Sequence, residues 1–150
     1  MTIRKRVVIN MEDFVSREAN KVVNLHNTSL PSKLAKLCGC EIIYLPLSDD
    51  TWGFTVKKSR INTIVINQAL EENVQEFVIA HELGHVRLHS GISTPFLRRV
   101  AKGSFIPSIE YEANRFAFDV LLSGIDDKEL YTKYQLLESL GLPDDLERFF

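Results

Sequence analysis

Val74 to His89 limits the fold more than any other stretch of this chain, because it reads as an unbroken helix that is apolar nearly all round. Val74, Phe77, Val78, Ile79, Ala80, Leu83, Val86 and Leu88 leave it no wide polar face, and a helix of that kind is buried in the middle of a domain. Asn73 is placed to cap its start, Glu76 stands at the capping-box position three residues later, and Ser90-Gly91 is placed to stop it. The same helix also carries His81, Glu82 and His85. Burying two histidines and a glutamate among apolar side chains is costly unless something binds them. Gly84 lies between them, where a mid-helix glycine costs about 1 kcal/mol relative to alanine; its presence predicts close approach by another backbone.

Two histidines at i and i+4 share one helical face, about one turn apart. His81 and His85 can therefore direct both imidazoles at one Zn2+ ion, and Glu82 can reach a water beside that ion rather than the ion itself. This His-Glu-x-x-His pattern on a helix is the zincin arrangement, with Glu82 as the catalytic base. A catalytic site needs a third protein ligand and an open position. His89, Glu110, Glu112 and Asp119 are the candidates. Glu110 is preferred, because Asn114 then shares its helical face and can bond a ligating histidine from behind. Glu112 is the next choice, and His89 reads as a neighbouring polar residue.

The rest of the chain supplies a frame. At 150 residues it is expected to be one domain, 1–150, with a proper core. Helical spacing predicts helices over about 11–27, from Pro31 to Gly39, over about 108–122 and over about 126–140, with Leu142–Phe150 docking as a final turn. Three β-branched and aromatic runs, Glu41–Leu45, Gly53–Val56 and Thr63–Ile66, predict a small, mostly antiparallel sheet, with Lys57–Arg60 as the turn joining the last two. The expected class is α+β: a small zincin-like domain whose three-stranded sheet packs on the histidine helix and the Glu110 helix. Gly91–Pro107 shows no clear element and, with Phe96, Arg98 and Arg99, is a candidate cleft loop.

Charge and cysteine usage narrow the partners. A formal net charge of −2, from 18 basic and 20 acidic side chains, gives no global field towards nucleic acid, and the clusters Arg4-Lys5-Arg6, Lys57-Lys58-Arg60 and Arg98-Arg99 read as solvated surface. Cys38 and Cys40 are too close for an unstrained disulfide and lack a second pair to make a metal site, so they read as reduced thiols. The basic start of the chain has an apolar run too short for a signal peptide, and no stretch is long enough to span a membrane. The expected location is the cytoplasm.

The motif His81-Glu82-Leu83-Gly84-His85-Val86-Arg87-Leu88-His89, followed by Glu110-x-x-Ala113-Asn114-x-Phe116-Ala117, resembles the ImmA/IrrE family of metallopeptidases. Ile64–Asn67 and Phe77–Ala80 look like that family too, and the likeness covers roughly residues 30–123. It implies a gluzincin-like fold with His81, His85 and Glu110 on zinc and Glu82 as base. It also implies a cytoplasmic endopeptidase that cuts a helix-turn-helix repressor and so induces a mobile element or a stress regulon. The chain departs from the pattern in two places: it shows no helix-turn-helix segment of its own, and Ser123-Gly124 stands where the family often has Met-Pro.

On that reading the partner is a protein substrate, with no direct contact to nucleic acid or membrane, held as an added strand along an edge such as Thr63–Asn67. Tyr111 and Arg115 are candidates to stabilise the oxyanion. Two alternatives belong to other classes. One is a non-catalytic, zinc-stabilised module that binds and antagonises a regulator. The other is an aminopeptidase in which Glu112 anchors a free amine.

Overall fold

The computed structural model describes residues 11–89, 96–97 and 108–150. The basic N-terminal segment, the helix stop at Ser90-Gly91 and the loop arginines Arg98 and Arg99 lie outside the described residues.

The fold is α+β. Helix α1 (Met11–His26) and the short α2 (Pro31–Leu37) precede three strands, β1 (Glu41–Leu45), β2 (Thr51–Lys58) and β3 (Ile61–Asn67). The long α3 (Glu72–Leu88), a two-residue strand β4 (Phe96–Leu97) and α4 (Ser108–Leu121) follow, and α5 (Lys133–Ser139) lies between two 3-10 turns. α1 buries Val15, Ala19 and Val22, one stripe at helical spacing, and leaves Phe14 and Leu25 exposed. Pro31 occupies the first turn of α2, and Gly39 turns the chain out of it at φ +85°. Cys38 and Cys40 are free thiols there, and burial pushes both upward, Cys40 to about 11.

The sheet has the order β1-β3-β2-β4, with β1 parallel to β3 and the other pairings antiparallel. β4 falls inside the stretch that showed no element in the sequence. β3 is flanked on both sides and buries Ile64, Val65, Ile66 and Asn67 in succession, as a doubly covered strand does. This corrects the expectation that Thr63–Asn67 offers an edge to substrate, because β1 already occupies that side. The β2–β3 turn is also tighter than expected: β2 runs on through Lys58, and Ser59 and Arg60 alone make the turn, at φ 50° and 68°. Two left-handed residues match the twist of a two-residue hairpin.

α3 is the central helix and packs against α2, α4, β2 and β3. Ten consecutive-turn positions from Val74 to His85 are buried, including the polar His81, Glu82 and His85. Its start differs from expectation. Glu71 is the cap residue, with no side-chain bond, and Asn73 instead donates from Nδ2 to the Gly141 carbonyl at 3.4 Å. Glu76 accepts the backbone N–H of Ser32 at 2.9 Å, so its carboxylate caps α2 rather than α3. The segment expected as one helix over about 126–140 is divided. Asp127 turns left-handed at φ 55°, a 3-10 turn covers Lys128–Leu130, and α5 begins anew from a capping box between Thr132 and Gln135. The tail docks as expected, in a 3-10 turn that buries Leu146 and Phe149. Among the described residues no helix is long and apolar enough to cross a membrane.

Candidate metal centre

α3 and α4 run side by side in opposite directions through their middle turns, which brings Asn114 to His81, Phe116 to Gly84 and Glu112 to His89. Gly84 makes this approach possible. A Cβ there would stand 3.2 Å from the Ala113 carbonyl oxygen and 3.2 Å from Phe116 Cβ, the close backbone contact that the mid-helix glycine predicted.

At that seam three side chains converge. His81 Nε2 lies 3.0 Å from one carboxylate oxygen of Glu110, and His85 Nε2 lies 3.0 Å from the other. The two Nε2 atoms are 3.2 Å apart. One ligand atom from each of His81, His85 and Glu110 falls within 4.8 Å of the others, and the three could hold a metal ion. Both imidazoles are buried and the carboxylate is half-buried, so the cluster opens towards solvent from the Glu110 side. Two imidazole nitrogens and a carboxylate suit Zn2+.

The other candidates are engaged elsewhere. Glu112 pairs with His89 Nε2 at 2.5 Å, Asp119 accepts from the Ser16 hydroxyl at 2.8 Å, and His89 meets the far side of His85, Nδ1 to Nδ1, at 3.1 Å. Asn114 Oδ1 lies 2.7 Å from His81 Nδ1. Tyr111 is half-exposed on α4 beside Glu110. Arg115 pairs with Asp119 and lines a cavity of about 340 Å³ with Lys133 and Phe150.

Glu82 is 1% exposed. Its Oε2 accepts the Thr55 hydroxyl of β2 at 2.6 Å, whereas its Oε1 is buried without a hydrogen-bond partner among the described residues. An orphaned carboxylate oxygen in such a place is expensive, and a water or ion beside it relieves the cost. Burial pushes the Glu82 carboxyl above the usual carboxylate range; His81, the Thr55 hydrogen bond and His85 pull it down, and Glu110 pushes it up. Thr55 escaped the sequence reading. The signal available was its inward position in β2, two residues beyond Gly53, but only the packing of α3 on the sheet puts it opposite Glu82.

The family model for the IrrE N-terminal-like domain, Peptidase M78, matches residues 35–140. The chain belongs to this family. The M78 domain is a metallopeptidase domain, and the matched residues span both helices of the seam. A relative from Bacillus phage phi105, named "Uncharacterized immunity region protein 2", is 33% identical over 122 residues, which is 81% of this chain and 75% of that one. The ImmA/IrrE resemblance read from the two motifs thus agrees with both comparisons.

Proposed function

We propose that this M78 chain is a zinc-dependent endopeptidase, one domain over 1–150, that cleaves a helix-turn-helix repressor in the cytoplasm and so induces a mobile element or a stress regulon. The observation that carries the reading is the convergence of His81, His85 and Glu110 beside a buried glutamate with one free oxygen. The name of the phage relative, an immunity region protein, supports a substrate drawn from the machinery that keeps a mobile element silent.

A divalent ion held by His81, His85 and Glu110 supplies Lewis acidity, which acidifies a water and polarises a carbonyl. The chain's own groups then carry the proton. Glu82 accepts it from the attacking water at Oε1 and passes it to the leaving amine. Thr55 anchors Oε2 from the strand side, which leaves Oε1 as the atom that turns towards water. Asn114 holds the His81 ring by its Nδ1, so that Nε2 faces the cluster. With β3 enclosed, the stretch suited to hold an extended substrate is Thr55–Lys58 of β2, beyond the Thr51–Gly53 segment that β4 pairs with among the described residues, and its Thr55 already touches the base.

Replacing Glu82 by Gln tests the reading. The variant should bind zinc as the wild type does and lose cleavage of the repressor by about 10²-fold or more. Unchanged cleavage removes Glu82 from the mechanism. Repressor antagonism that survives in Glu82→Gln, with no fragments formed, selects the non-catalytic binding module instead.

A further inference from the structure

We propose that Glu112 and His89 form a hydrogen-bonded relay that fixes the tautomer and the aim of His85, making both of them positioning residues for the metal site. The inference rests on the reading of His85 as a ligand, and it concerns two side chains to which that reading gives no part.

The argument follows the hydrogens. His85 presents Nε2 to Glu110 and to His81 Nε2, so the lone pair of Nε2 must be free for the site to hold an ion. Its other nitrogen, Nδ1, faces His89 Nδ1 at 3.1 Å. Two nitrogens at that distance share a single hydrogen, and which one carries it decides whether His85 can ligate. Glu112 settles the choice. Its Oε2 lies 2.5 Å from His89 Nε2, and an ionised carboxylate only accepts. His89 Nε2 therefore donates. For a neutral His89 ring, whose one N–H is spent on Glu112, Nδ1 is left as the acceptor and His85 Nδ1 as the donor. The lone pair of His85 is thereby assigned to Nε2, on the side of Glu110 and His81.

The backbone prepares this arrangement. His89 ends α3 at φ −128° and ψ 55°, outside the helical region, while its N–H still bonds the His85 carbonyl at 2.8 Å. The departure brings its ring against His85, with the centroids 5.2 Å apart, and the ring is enclosed to 7% exposure. Glu112 arrives from α4, two residues before Asn114, about half a turn around the helix. The two histidines of the cluster are thus held from behind in different ways. His81 leans on a neutral amide, and His85 leans on a second imidazole backed by a carboxylate. Carboxylate backing raises ligand basicity, and losing such outer partners weakens metal binding by about 10–100-fold.

The test measures zinc affinity by competition with a chelator, and the His85 ring by nitrogen-edited NMR of the zinc-loaded protein. His89→Ala should bind zinc about 10–100-fold more weakly than the wild type, and its His85 Nδ1–H signal should vanish into exchange with water. His89→Asn should restore affinity to within about threefold and bring back the protected signal, because its Oδ1 stands where the imidazole Nδ1 stood. Glu112→Gln keeps an acceptor but removes the charge, and should weaken zinc by about tenfold. Equal losses in His89→Ala and His89→Asn, or wild-type affinity in His89→Ala, overturn the relay. If His89→Ala fails to fold by circular dichroism, Glu112→Gln decides, and unchanged affinity there overturns it. The control is His85→Ala. Wild-type affinity in that variant sinks the ligand assignment itself, a failure distinct from that of the relay.

Discussion

The seam between α3 and α4 has two halves built on the same pair of helices and opposite in character. Towards the start of α3, Phe77 meets Phe118 at 5.0 Å and Phe149 at 6.4 Å; Phe118 meets Phe150 at 4.4 Å, and Trp52 meets Phe149 at 6.3 Å. Towards its end, His81 and His85 meet edge to face at 4.8 Å, and both ring nitrogens of each have a directed polar neighbour. The aromatic half needs area and shape, since apolar burial is non-directional. The polar half needs angles, because a buried nitrogen or carboxylate without a partner costs more than it contributes. The comparison teaches that one helix can divide its duties along its length. Phe77 and its neighbours belong to the apolar core, and the turns from His81 to His89 carry side chains that could hold an ion.

That division can be broken from either side. The largest effect belongs to Phe77→Ala, which should destabilise the fold by about 3–5 kcal/mol in urea titrations. Zinc bound per folded molecule should stay the same; a parallel loss of zinc affinity would show that the halves are not separable. Next comes the polar half itself. Free zinc at a hundred times its Kd should raise stability by about 2.7 kcal/mol, read as a shift of the thermal midpoint. His85→Ala should abolish that shift while leaving the metal-free midpoint little changed.

A smaller effect belongs to Gly53→Ala. A Cβ there would stand 2.7 Å from the Val65 carbonyl oxygen and 2.9 Å from Val78 Cγ1, between two strands and the apolar half of α3. The expected cost is about 1–3 kcal/mol by chemical denaturation, with zinc affinity retained. The smallest is a gain. Arg60 holds φ 68° at the tip of the β2–β3 hairpin, where a side chain is strained by about 1–2 kcal/mol. Arg60→Gly should raise the thermal midpoint by a few degrees and leave zinc binding untouched, since the turn belongs to neither half of the seam.

Much of the site was legible because its spacing is local. The i, i+4 relation of His81 and His85 is fixed by helix geometry once the segment is helical, and the apolar run from Val74 to Leu88 makes it so. Gly84 announced a close neighbour for the same reason: only contact explains a glycine there. The reading failed where the same short polar residues had two possible uses. Asn73 and Glu76 have the spacing of a capping box, yet Gly141 and Ser32 claim them from distant parts of the chain. Thr63–Asn67 has the composition of any strand, and nothing in it says that β1 returns to pair beside it in parallel. The break before α5 is a further case, since Asp127 and Thr132 interrupt a stretch whose periodicity reads as continuous helix.

By itself, then, the sequence determined what lies within a few residues along the backbone: a buried helix, two imidazoles one turn apart with a glutamate beside them, and α4 presenting Glu110 and Asn114 on one face. Only the tertiary structure decided which carboxylate meets those imidazoles, that Thr55 reaches Glu82, and that Glu112 stands behind His85 through His89. The reason is physical. Contacts within one helix are set by 3.6 residues per turn, whereas contacts between helices depend on the crossing and register of two surfaces, which the packing of Gly84 against Ala113 and Phe116 selects.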